Sequence, residues 1–445
     1  MAVAEYLGNI VRRLMRTHFE CFIAVLVSIC VMPALAAGGP AVPELPPPGP
    51  LVFRQPVIIG WPADGTPTAP PGFFVTRFAE GLDHPRWLYV LPNGDVLVAQ
   101  ARTESMGGFP DEVIAELTKQ GLFGKSPDNI ILLCNTQSGV TSHLFIEGLN
   151  QPFGMALSGD SLLVANTNAL LKFPYRTGQT HIDAPPETLL DIPAGEQSGH
   201  WNNHWTRNVV VSPDGQSLYL SVGAATNNNE NGNEHPERAA IWRLAVDGRG
   251  KTMFATGLRN PVGMDFDPET GDLWTTVNER DGLGEDVPPD YLTRVVEGAF
   301  YGWPYVYFGT YPDPTHERLN PDRGLTAQAT ARVPDVAVGA HSVPLGLLFY
   351  RGEQFPPAYR SGAFVARRGG VSRAQFIGID VIFVGFEHGQ AQHFNPFLTG
   401  FVADYGKGTV HGRPVGLAML PDGSLLVADD SAGIIWRVGF GNNRQ

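Results

Sequence analysis

The chain has 445 residues, of which 52 are glycine, 38 are proline and only 17% are charged. This turn-rich composition offers no long stretch of the Ala, Glu, Lys and Leu residues that are typical of helical proteins, and it favours an all-β fold. The formal net charge of -13 argues against a nucleic-acid-binding surface, which would require a basic chain.

Residues 1–36 have the pattern of a secretory signal peptide. Three arginines precede an apolar run from Phe22 to Val31, and Ala34-Leu35-Ala36 offers small residues for cleavage. The run is short for a bilayer span, so the alternative of a membrane anchor is less favoured. We therefore expect export to the periplasm or the medium as a protein that is not integral to a membrane. Cys134 would then be the only cysteine, with no intrachain disulfide.

Residues 37–72 are rich in proline and glycine and are predicted to form an extended leader. From residue 73 to residue 440 the chain repeats one pattern, in which polar residues precede an apolar strand, a Pro-Asp-Gly-type turn and a second strand. The six copies begin at Gly81, Gly148, His204, Gly257, His341 and Gly412. Six units of this length predict a six-bladed β-propeller, whose sixth blade is completed by the N-terminal strand at 74–81.

Long insertions interrupt the predicted blades. Residues 101–128 include a predicted helix around DEVIAELTKQ, residues 224–238 are rich in asparagine, and residues 281–340 are rich in glycine and proline. Loops of this length in a compact domain are usually functional or disordered.

The residues just before each first strand are predicted to face the axis of the propeller. These pairs are Asp83-His84, Asn150-Gln151, His204-Trp205, Arg259-Asn260, Ser342-Val343 and Gly412-Arg413. Each pair taken alone could simply cap a strand, but polar residues at equivalent positions favour a ligand site. Arginine suits an anionic ligand. His204 is the best candidate for a base, because imidazole titrates near neutral pH.

A second candidate site follows the strand of the fourth copy. Glu279, Asp281 and Gly282 lie in the loop NERDGLGED, where carboxylates and backbone carbonyls could bind Ca²⁺. The spacing does not match the EF-hand pattern, and acid-rich loops are often only solvated. The loop alone therefore predicts a calcium site weakly.

Four blocks of the sequence resemble the soluble sugar dehydrogenases that depend on pyrroloquinoline quinone (PQQ), and most of all their sorbosone dehydrogenase-like branch. The blocks are HWTRNVVVSPDGQSLYLSVG, GLRNPVGMDFDPETGDLW with NERDGLGED, EGAFYGWPYVYFG, and HSVPLGLLFY with GRPVGLAMLPDGSLLVADD. The resemblance implies a six-bladed propeller with PQQ and Ca²⁺ over its axis. It implies that His204 takes the proton of the sugar hydroxyl while hydride passes to PQQ. Arg259 would stabilise the quinone oxyanion, and Asn260 would contact PQQ.

The resemblance also assigns further residues. Arg413 matches an arginine that binds a PQQ carboxylate, and Asn150 or Gln151 lies near a PQQ-contacting glutamine. The loop of Glu279, Asp281 and Gly282 falls where the family supplies calcium ligands. The remaining predicted cofactor contacts are His341, Arg367 and Arg373. A lysine that grips PQQ in the family has no direct counterpart here, and Arg367, Arg368 and Arg373 are nearby.

Two positions depart from the pattern of the glucose enzymes. Ala224 stands where an aspartate orients the histidine, and Val415 stands where a second arginine binds PQQ. The sequence therefore predicts an exported PQQ- and Ca²⁺-dependent dehydrogenase that oxidises an aldose or sorbosone-like sugar and passes electrons to a quinone or small carrier. The alternatives are a calcium-dependent propeller lactonase and a non-catalytic propeller that binds a glycan or a protein.

Overall fold

The computed structural model describes residues 43–102, 111–119, 124, 126–136, 139–195 and 202–441. The predicted signal peptide lies outside these residues. The helix predicted in the first insertion is present as α1 (Asp111–Lys119), and the third insertion contains α2 (Pro314–Leu319) and α3 (Pro321–Thr330). A short 3₁₀ helix covers Pro357–Tyr359. In the part of the chain that the structure describes, no helix is long and apolar enough to cross a membrane.

The strands account for most of the regular structure. In chain order they are β1 (Val57–Ile58), β2 (Phe73–Ala79), β3 (Pro85–Val90), β4 (Val96–Gln100), β5 (Asn129–Thr136), β6 (Gly139–Ile146), β7 (Met155–Ser158), β8 (Ser161–Ala165), β9 (Ala169–Pro174), β10 (Glu187–Asp191), β11 (Val209–Val211), β12 (Ser217–Val222), β13 (Ala240–Ala245), β14 (Thr252–Thr256), β15 (Pro261–Phe266), β16 (Leu273–Val277), β17 (Pro289–Arg294), β18 (Val306–Tyr307), β19 (Tyr311–Pro312), β20 (Val336–Ala340), β21 (Pro344–Phe349), β22 (Gly362–Arg367), β23 (Asp380–Glu387), β24 (Gln390–Leu398), β25 (Val402–Asp404), β26 (Thr409–Val410), β27 (Pro414–Met419), β28 (Leu425–Asp429) and β29 (Ile434–Phe440).

The described residues form six four-stranded antiparallel sheets, which we number as blades. Blade 1 is β3–β6, blade 2 is β7–β10, blade 3 is β11–β14, blade 4 is β15–β17 with β20, blade 5 is β21–β24, and blade 6 is β27–β29 with β2. The first strands contact one another in the order β3, β7, β11, β15, β21, β27 and back to β3. This arrangement confirms the predicted all-β class.

Glycines in the first strands explain how the blades approach so closely. A Cβ on Gly346 of β21 would lie 2.3 Å from the Val415 carbonyl oxygen of blade 6, and one on Gly416 would lie 2.7 Å from the Arg86 carbonyl oxygen of blade 1. The same close approach to the next blade is made by Gly154 and Gly263. Four of the six copies therefore carry glycine two residues after the proline, because any side chain there would push neighbouring blades apart.

The second strand of each blade is covered by blades on both sides. In β4, β8, β16 and β28 every residue is buried. A strand that is buried on both faces needs apolar residues at consecutive positions, not only at alternate ones. This explains the continuous runs VLVA, LLVA and LLVAD that end the repeats.

The N-terminal strand β2 pairs antiparallel with β29, with Phe73 opposite Phe440 and Arg77 opposite Trp436. Both ends of the described propeller thus meet in blade 6. This pairing satisfies backbone hydrogen bonds that would otherwise be left at an open sheet edge.

Residues 43–72 are more than the extended leader that their composition predicts, and we call them the strap. The Gly49 N–H donates to the Leu283 carbonyl at 2.9 Å, so the strap begins against the loop after β16. Further along, β1 pairs parallel with β26. Trp61 then packs against Phe401 and Trp436, with ring centroids 5.5 and 5.1 Å away. The strap is held to blade 4, to the segment between blades 5 and 6, and to blade 6.

Candidate functional site

The loops that lead into the six first strands meet at one end of the ring, which we call the front face. Because adjacent strands are antiparallel, the ends of the second strands β4, β8, β12, β16, β22 and β28 lie at this same end. The front face therefore collects residues from twelve strand ends. The predicted site residues that lie at the starts of the first strands are therefore all at the front face.

His204 lies just before β11 and is half-buried. Its Nδ1 is 2.6 Å from the carbonyl oxygen of Ala224, which can only accept a hydrogen bond, so Nδ1 carries the proton. Nε2 has no partner among the described residues and is left as an acceptor. Burial, followed by the nearby charge of Arg259, holds the pKa of His204 well below its usual value. The imidazole is therefore neutral at pH 7 and able to accept a proton.

Asn260 lies beside His204 at the start of β15. Both pack against Gly223, where a Cβ would lie 2.3 Å from Asn260 Oδ1 and 2.7 Å from His204 Cβ. Asn260 is 7% exposed, and its Oδ1 has no hydrogen-bond partner among the described residues. A buried acceptor of this kind is costly unless a ligand or water occupies the space beside it. The structure thus brings together two of the residues predicted for catalysis and cofactor binding.

Arg259 is buried, and its guanidinium is used by protein oxygens. Nε and Nη2 each donate at 2.8 Å to Asn227, through its carbonyl and its side chain, and Nη1 donates at 2.6 Å to the Glu279 carbonyl. Burial lowers the pKa of Arg259 although the carboxylates of Asp281 and Glu279 act to raise it. Arg259 therefore holds the asparagine-rich loop against the loop after β16, and it places a positive charge close to His204.

Asn150 and Gln151 precede β7. The Asn150 side chain donates to Asn168 Oδ1 at 3.1 Å, and the Gln151 side chain donates to the Arg102 carbonyl at 3.1 Å. The side-chain oxygens of both amides are buried with no partner among the described residues. Gln151 also has a φ of +47°, a conformation that is uncommon for a residue other than glycine. These two amides offer acceptors for a ligand.

Arg413 belongs to a buried cationic cluster at the start of β27. Its guanidinium donates to the carbonyls of Arg368, at 3.0 Å, and of Gly369. Arg86 and Arg368 both pair with Asp430, and the carboxylates of Asp430 and Asp429 both act on the charge of Arg413. Burial, together with Arg368, holds the pKa of Arg413 well below its usual value. The cluster has more cations than carboxylates nearby, so an anion would be stabilised beside it.

The two candidates for the missing lysine have other partners. Arg367 forms a bidentate pair with Asp380 at 2.8 and 2.7 Å, and Arg373 donates to Asp286 at 3.0 Å and to the Glu285 carbonyl. Neither lies in the cationic cluster. Arg368, between them, does. Arg367 is the last residue of β22 and Arg368 is the first residue after it, and consecutive side chains of an extended chain point to opposite sides.

The predicted calcium residues do not come together as a set of ligands. Glu279 is buried, its carbonyl accepts from Arg259, and burial raises the pKa of its carboxyl to about 7. Asp281 is exposed, and its Oδ1 accepts from His341 and Ser372, each at 2.9 Å. Gly282 has a φ of +97°, a backbone conformation that favours glycine, so it serves the turn of this loop. Within the described ranges, no group of three or more His, Cys, Asp or Glu residues is arranged to hold a metal ion.

His341 links this loop to blade 5. Its Nδ1 lies 2.9 Å from Asp281 Oδ1 and its Nε2 lies 2.8 Å from the Gly284 carbonyl, so both nitrogens face acceptors. Burial lowers the pKa of His341, but the hydrogen bond and charge of Asp281 outweigh it, and the net effect raises the pKa. His341 therefore connects the loop to blade 5, and both of its ring nitrogens already have partners.

Sequence reasoning missed several residues that shape this face. Arg86 and Asp430 complete the cationic cluster, Arg238 holds the backbone around His204, and Asn227 receives Arg259. Arg86 and Asp430 could have been found as charged residues in otherwise apolar strand ends. Arg238 and Asn227 lie in the asparagine-rich insertion, and nothing in its composition indicates which positions turn inwards.

Comparison with known proteins adds to this geometry. Residues 165–369 match the family model described as Glucose / Sorbosone dehydrogenase. A protein of Borreliella burgdorferi, described only as uncharacterized, is 30% identical over 249 residues, which cover 53% of this chain. The match spans 61% of the length of that curated relative. The resemblance to the glucose/sorbosone dehydrogenase family is thus confirmed, while its sorbosone branch is not singled out.

Solved structures share the fold. The holo form of the pyranose dehydrogenase PQQ domain from Coprinopsis cinerea is 19% identical, with a TM-score of 0.65 over 86% of this chain and 99% of that chain. A calcium structure of a family AA12 carbohydrate-active enzyme from Trichoderma reesei is 20% identical, with a TM-score of 0.65 over 84% and 97%. The PQQ-bound form of an aldose sugar dehydrogenase from Streptomyces coelicolor is 17% identical, with a TM-score of 0.55 over 84% and 99%. These similarities confirm the propeller architecture.

Proposed function

We propose that this chain, which carries a glucose/sorbosone dehydrogenase domain at residues 165–369, is an exported quinoprotein that oxidises an aldose or aldehyde sugar with PQQ. The observation that supports this most directly is the state of His204. Its Nδ1 is hydrogen-bonded to a backbone carbonyl, and its Nε2 has no protein partner among the described residues. A neutral, oriented imidazole is what removal of a hydroxyl proton requires.

The residues of the front face fit PQQ, which is a planar tricarboxylate. Arg413, Arg86 and Arg368 provide a cationic cluster for a carboxylate. The side chains of Gln151 and Asn260, whose buried oxygens have no partner among the described residues, add polar groups to this face. A carboxylate would pair with the arginines of this cluster, which an apolar ligand could not do.

Each residue has a separate part in the proposed reaction. When bound, PQQ supplies the two-electron oxidant that accepts hydride from the sugar carbon. His204 Nε2 takes the proton of the hydroxyl on that carbon, so a cyclic aldose leaves as its lactone. Arg259 contributes a fixed positive charge next to His204, which favours negative charge that develops in the site. A quinone or small carrier would then take the electrons.

Calcium fits the described geometry less well. Of the predicted ligands, only Asp281 presents an exposed carboxylate, while Glu279 is buried and its carbonyl already accepts from Arg259. The donor set that hard cations prefer is therefore incomplete among the described residues. We derive no catalytic step from calcium. A calcium-dependent lactonase gains no support for the same reason.

The test is cofactor uptake followed by turnover. Purified full-length protein would be titrated with PQQ, with and without Ca²⁺, while bound PQQ is measured after gel filtration. Dye reduction would then be assayed with a panel of aldoses. We expect stoichiometric uptake and turnover of at least one sugar, and failure to bind PQQ would refute the proposal.

His204→Gln separates binding from chemistry. We expect it to keep PQQ uptake and to lower kcat by about 100-fold or more, since a general base contributes about 10²–10⁴ in rate. His181→Gln is the matched control, because His181 is exposed and its ring contacts the nearby surface residues Thr180 and Asp183. If the unmodified protein takes up PQQ but oxidises no sugar, the result would instead support the alternative of a non-catalytic propeller.

A further inference from the structure

His204 has no carboxylate to orient it. The acceptor of its Nδ1 proton is the carbonyl of Ala224, a residue that follows the end of β12. A carbonyl at a strand end has no ladder hydrogen bond to fix its direction, so something else must hold it. The same peptide segment is anchored from the other side, because the Ala224 N–H donates to the Arg259 carbonyl at 2.7 Å.

Arg238 supplies the missing support. Its Nε donates to the Gly223 carbonyl at 2.7 Å, and its Nη2 donates to the carbonyls of Ala224 and His204 at 3.1 and 3.2 Å. The planar guanidinium thus holds both the acceptor of the imidazole proton and the backbone of the histidine itself. Lysine could not reproduce this fork of donors.

We propose that Arg238 is a positioning residue that fixes the Ala224 carbonyl, and through it the tautomer and orientation of the His204 imidazole. This inference rests on the proposed role of His204 as the base. Arg238, which comes from the asparagine-rich insertion, would thus orient the histidine. In the glucose enzymes that the sequence resembles, an aspartate has this task.

The insertion is built to hold Arg238 in place. Arg238 is 3% exposed, and its N–H donates to the His235 carbonyl at 3.0 Å. The carboxylate of Glu234 lies 4.0 Å from Arg238 Nε and accepts from the N–H groups of Ala225 and Thr226 at 2.7 and 2.9 Å. Glu234 therefore closes the loop and offsets part of the buried charge without touching His204.

A cation in this place has an electrostatic consequence. Burial is the largest effect that lowers the pKa of His204. Among the nearby charges, Arg259 and Arg238 lower this pKa further, and Asp281 raises it. A carboxylate at Nδ1 would stabilise the imidazolium, whereas a carbonyl backed by an arginine does so much less. His204 thus stays neutral, and able to act as a base, to a lower pH than a histidine paired with aspartate.

The experiment compares Arg238→Gln and Arg238→Lys with the unmodified protein by NMR of nitrogen-labelled histidine, without PQQ. The His204 signals would be identified as those lost in His204→Gln. We expect Nδ1–H as the single tautomer in the unmodified protein. In Arg238→Gln we expect a mixture of tautomers and a titration displaced to higher pH. In Arg238→Lys we expect the tautomers to mix while the titration stays close to its original pH.

Kinetics with PQQ give the second readout. We expect kcat to fall about 10- to 100-fold in both variants, with PQQ uptake and the KM for sugar within about threefold, as for a misplaced catalytic group. The acid limb of the kcat profile should move to higher pH in Arg238→Gln only. Arg351→Lys is the control, because Arg351 also donates to two backbone carbonyls, at the opposite end of the ring.

Unfolding midpoints of the two lysine variants show whether a general loss of structure explains the result. A single Nδ1–H tautomer with unchanged titration in Arg238→Gln would overturn the inference, as would a kcat equal to that of the unmodified protein. Failure of the proposed function has a different signature, because the unmodified protein would then lack PQQ uptake or turnover while the NMR comparison still reports on Arg238.

Discussion

The two ends of the first strands differ in character. At the front face the strands begin beside buried charges and unpaired amide oxygens. At the rear end they open into a cavity of 490 Å³ whose lining includes Val90, Leu157, Val211, Phe266 and Met419. The rear end has charged groups too, but they are paired, since Asp265 receives both Arg351 and the Phe349 N–H.

The contrast between the two ends indicates where function can reside in a ring of repeats. The strands are apolar along most of their length, because each blade must pack against two neighbouring blades. Buried polar groups without partners cost stability, and a bound ligand is one way to offset that cost. The front face combines such groups, on Gln151 and Asn260, with the buried arginine cluster at Asp430, and for this reason we place the proposed ligand there.

The largest expected effect comes from removing a cation at the front face, and removal of a cation at the rear end is the control. Arg413→Ala should weaken PQQ uptake about 100-fold, which corresponds to about 2.7 kcal/mol, because a charge-assisted hydrogen bond is lost in a buried site. Arg351→Ala removes a cation that also holds backbone carbonyls, but at the rear end, and should leave uptake unchanged. Equilibrium titration of PQQ measures both. Equal weakening in the two variants would break the distinction between the ends.

A smaller effect is expected from the glycines that both ends share. Gly346→Ala should lower the free energy of unfolding by about 2 kcal/mol, because the new methyl group meets the Val415 carbonyl of the next blade. Gly385→Ala is the control, since no atom lies within 4 Å of its Cβ position. Urea denaturation measures the difference. A Gly346→Ala protein as stable as the control would show that the blades can separate without cost.

The sequence predicted the strands and their grouping well because the repeat is periodic and each turn has its own signature. It also identified His204, Arg259 and Asn260 as neighbours on the front face, since position in a repeat fixes position around the axis. It named Arg367 and Arg373 as cofactor contacts, whereas Arg368 is the arginine that pairs with Asp430 in the cationic cluster. Which side each arginine faces depends on where β22 ends, because a shift of one residue reverses the face that a side chain occupies.

The strap shows a second limit. Its proline- and glycine-rich composition predicts an extended chain, and the chain is extended, but composition does not reveal a docking surface. Its contacts are isolated ones, such as Arg54 donating to the Ala374 and Gly406 carbonyls at 2.7 and 2.6 Å. Such contacts join distant parts of the chain and leave no periodic signal. The contact between Arg259 and the Glu279 carbonyl is of the same kind, and nothing in the composition of the predicted calcium loop indicates it.

The smallest expected effect tests whether the strap supports the front face. The Trp61 indole N–H donates to Asp429 Oδ2 at 2.8 Å, and Asp429 Oδ1 accepts from the Arg413 N–H at 2.8 Å. Burial raises the pKa of Asp429 from 3.8 to about 6. The folded protein therefore holds this proton more tightly than the unfolded chain does, and the free energy of unfolding falls as pH rises from about 4 to about 6.

Trp61→Phe should reveal this linkage. The indole N–H stabilises the ionised carboxyl, so its loss should cost about 1.5 kcal/mol at pH 8 and less at pH 5, where Asp429 is mostly protonated in the folded state. Trp274→Phe is the matched control, because the Trp274 indole N–H has no partner among the described residues. Its cost should be the same at both pH values. A pH-independent cost for Trp61→Phe as well would mean that the strap packs on blade 6 without supporting the charged groups of the front face.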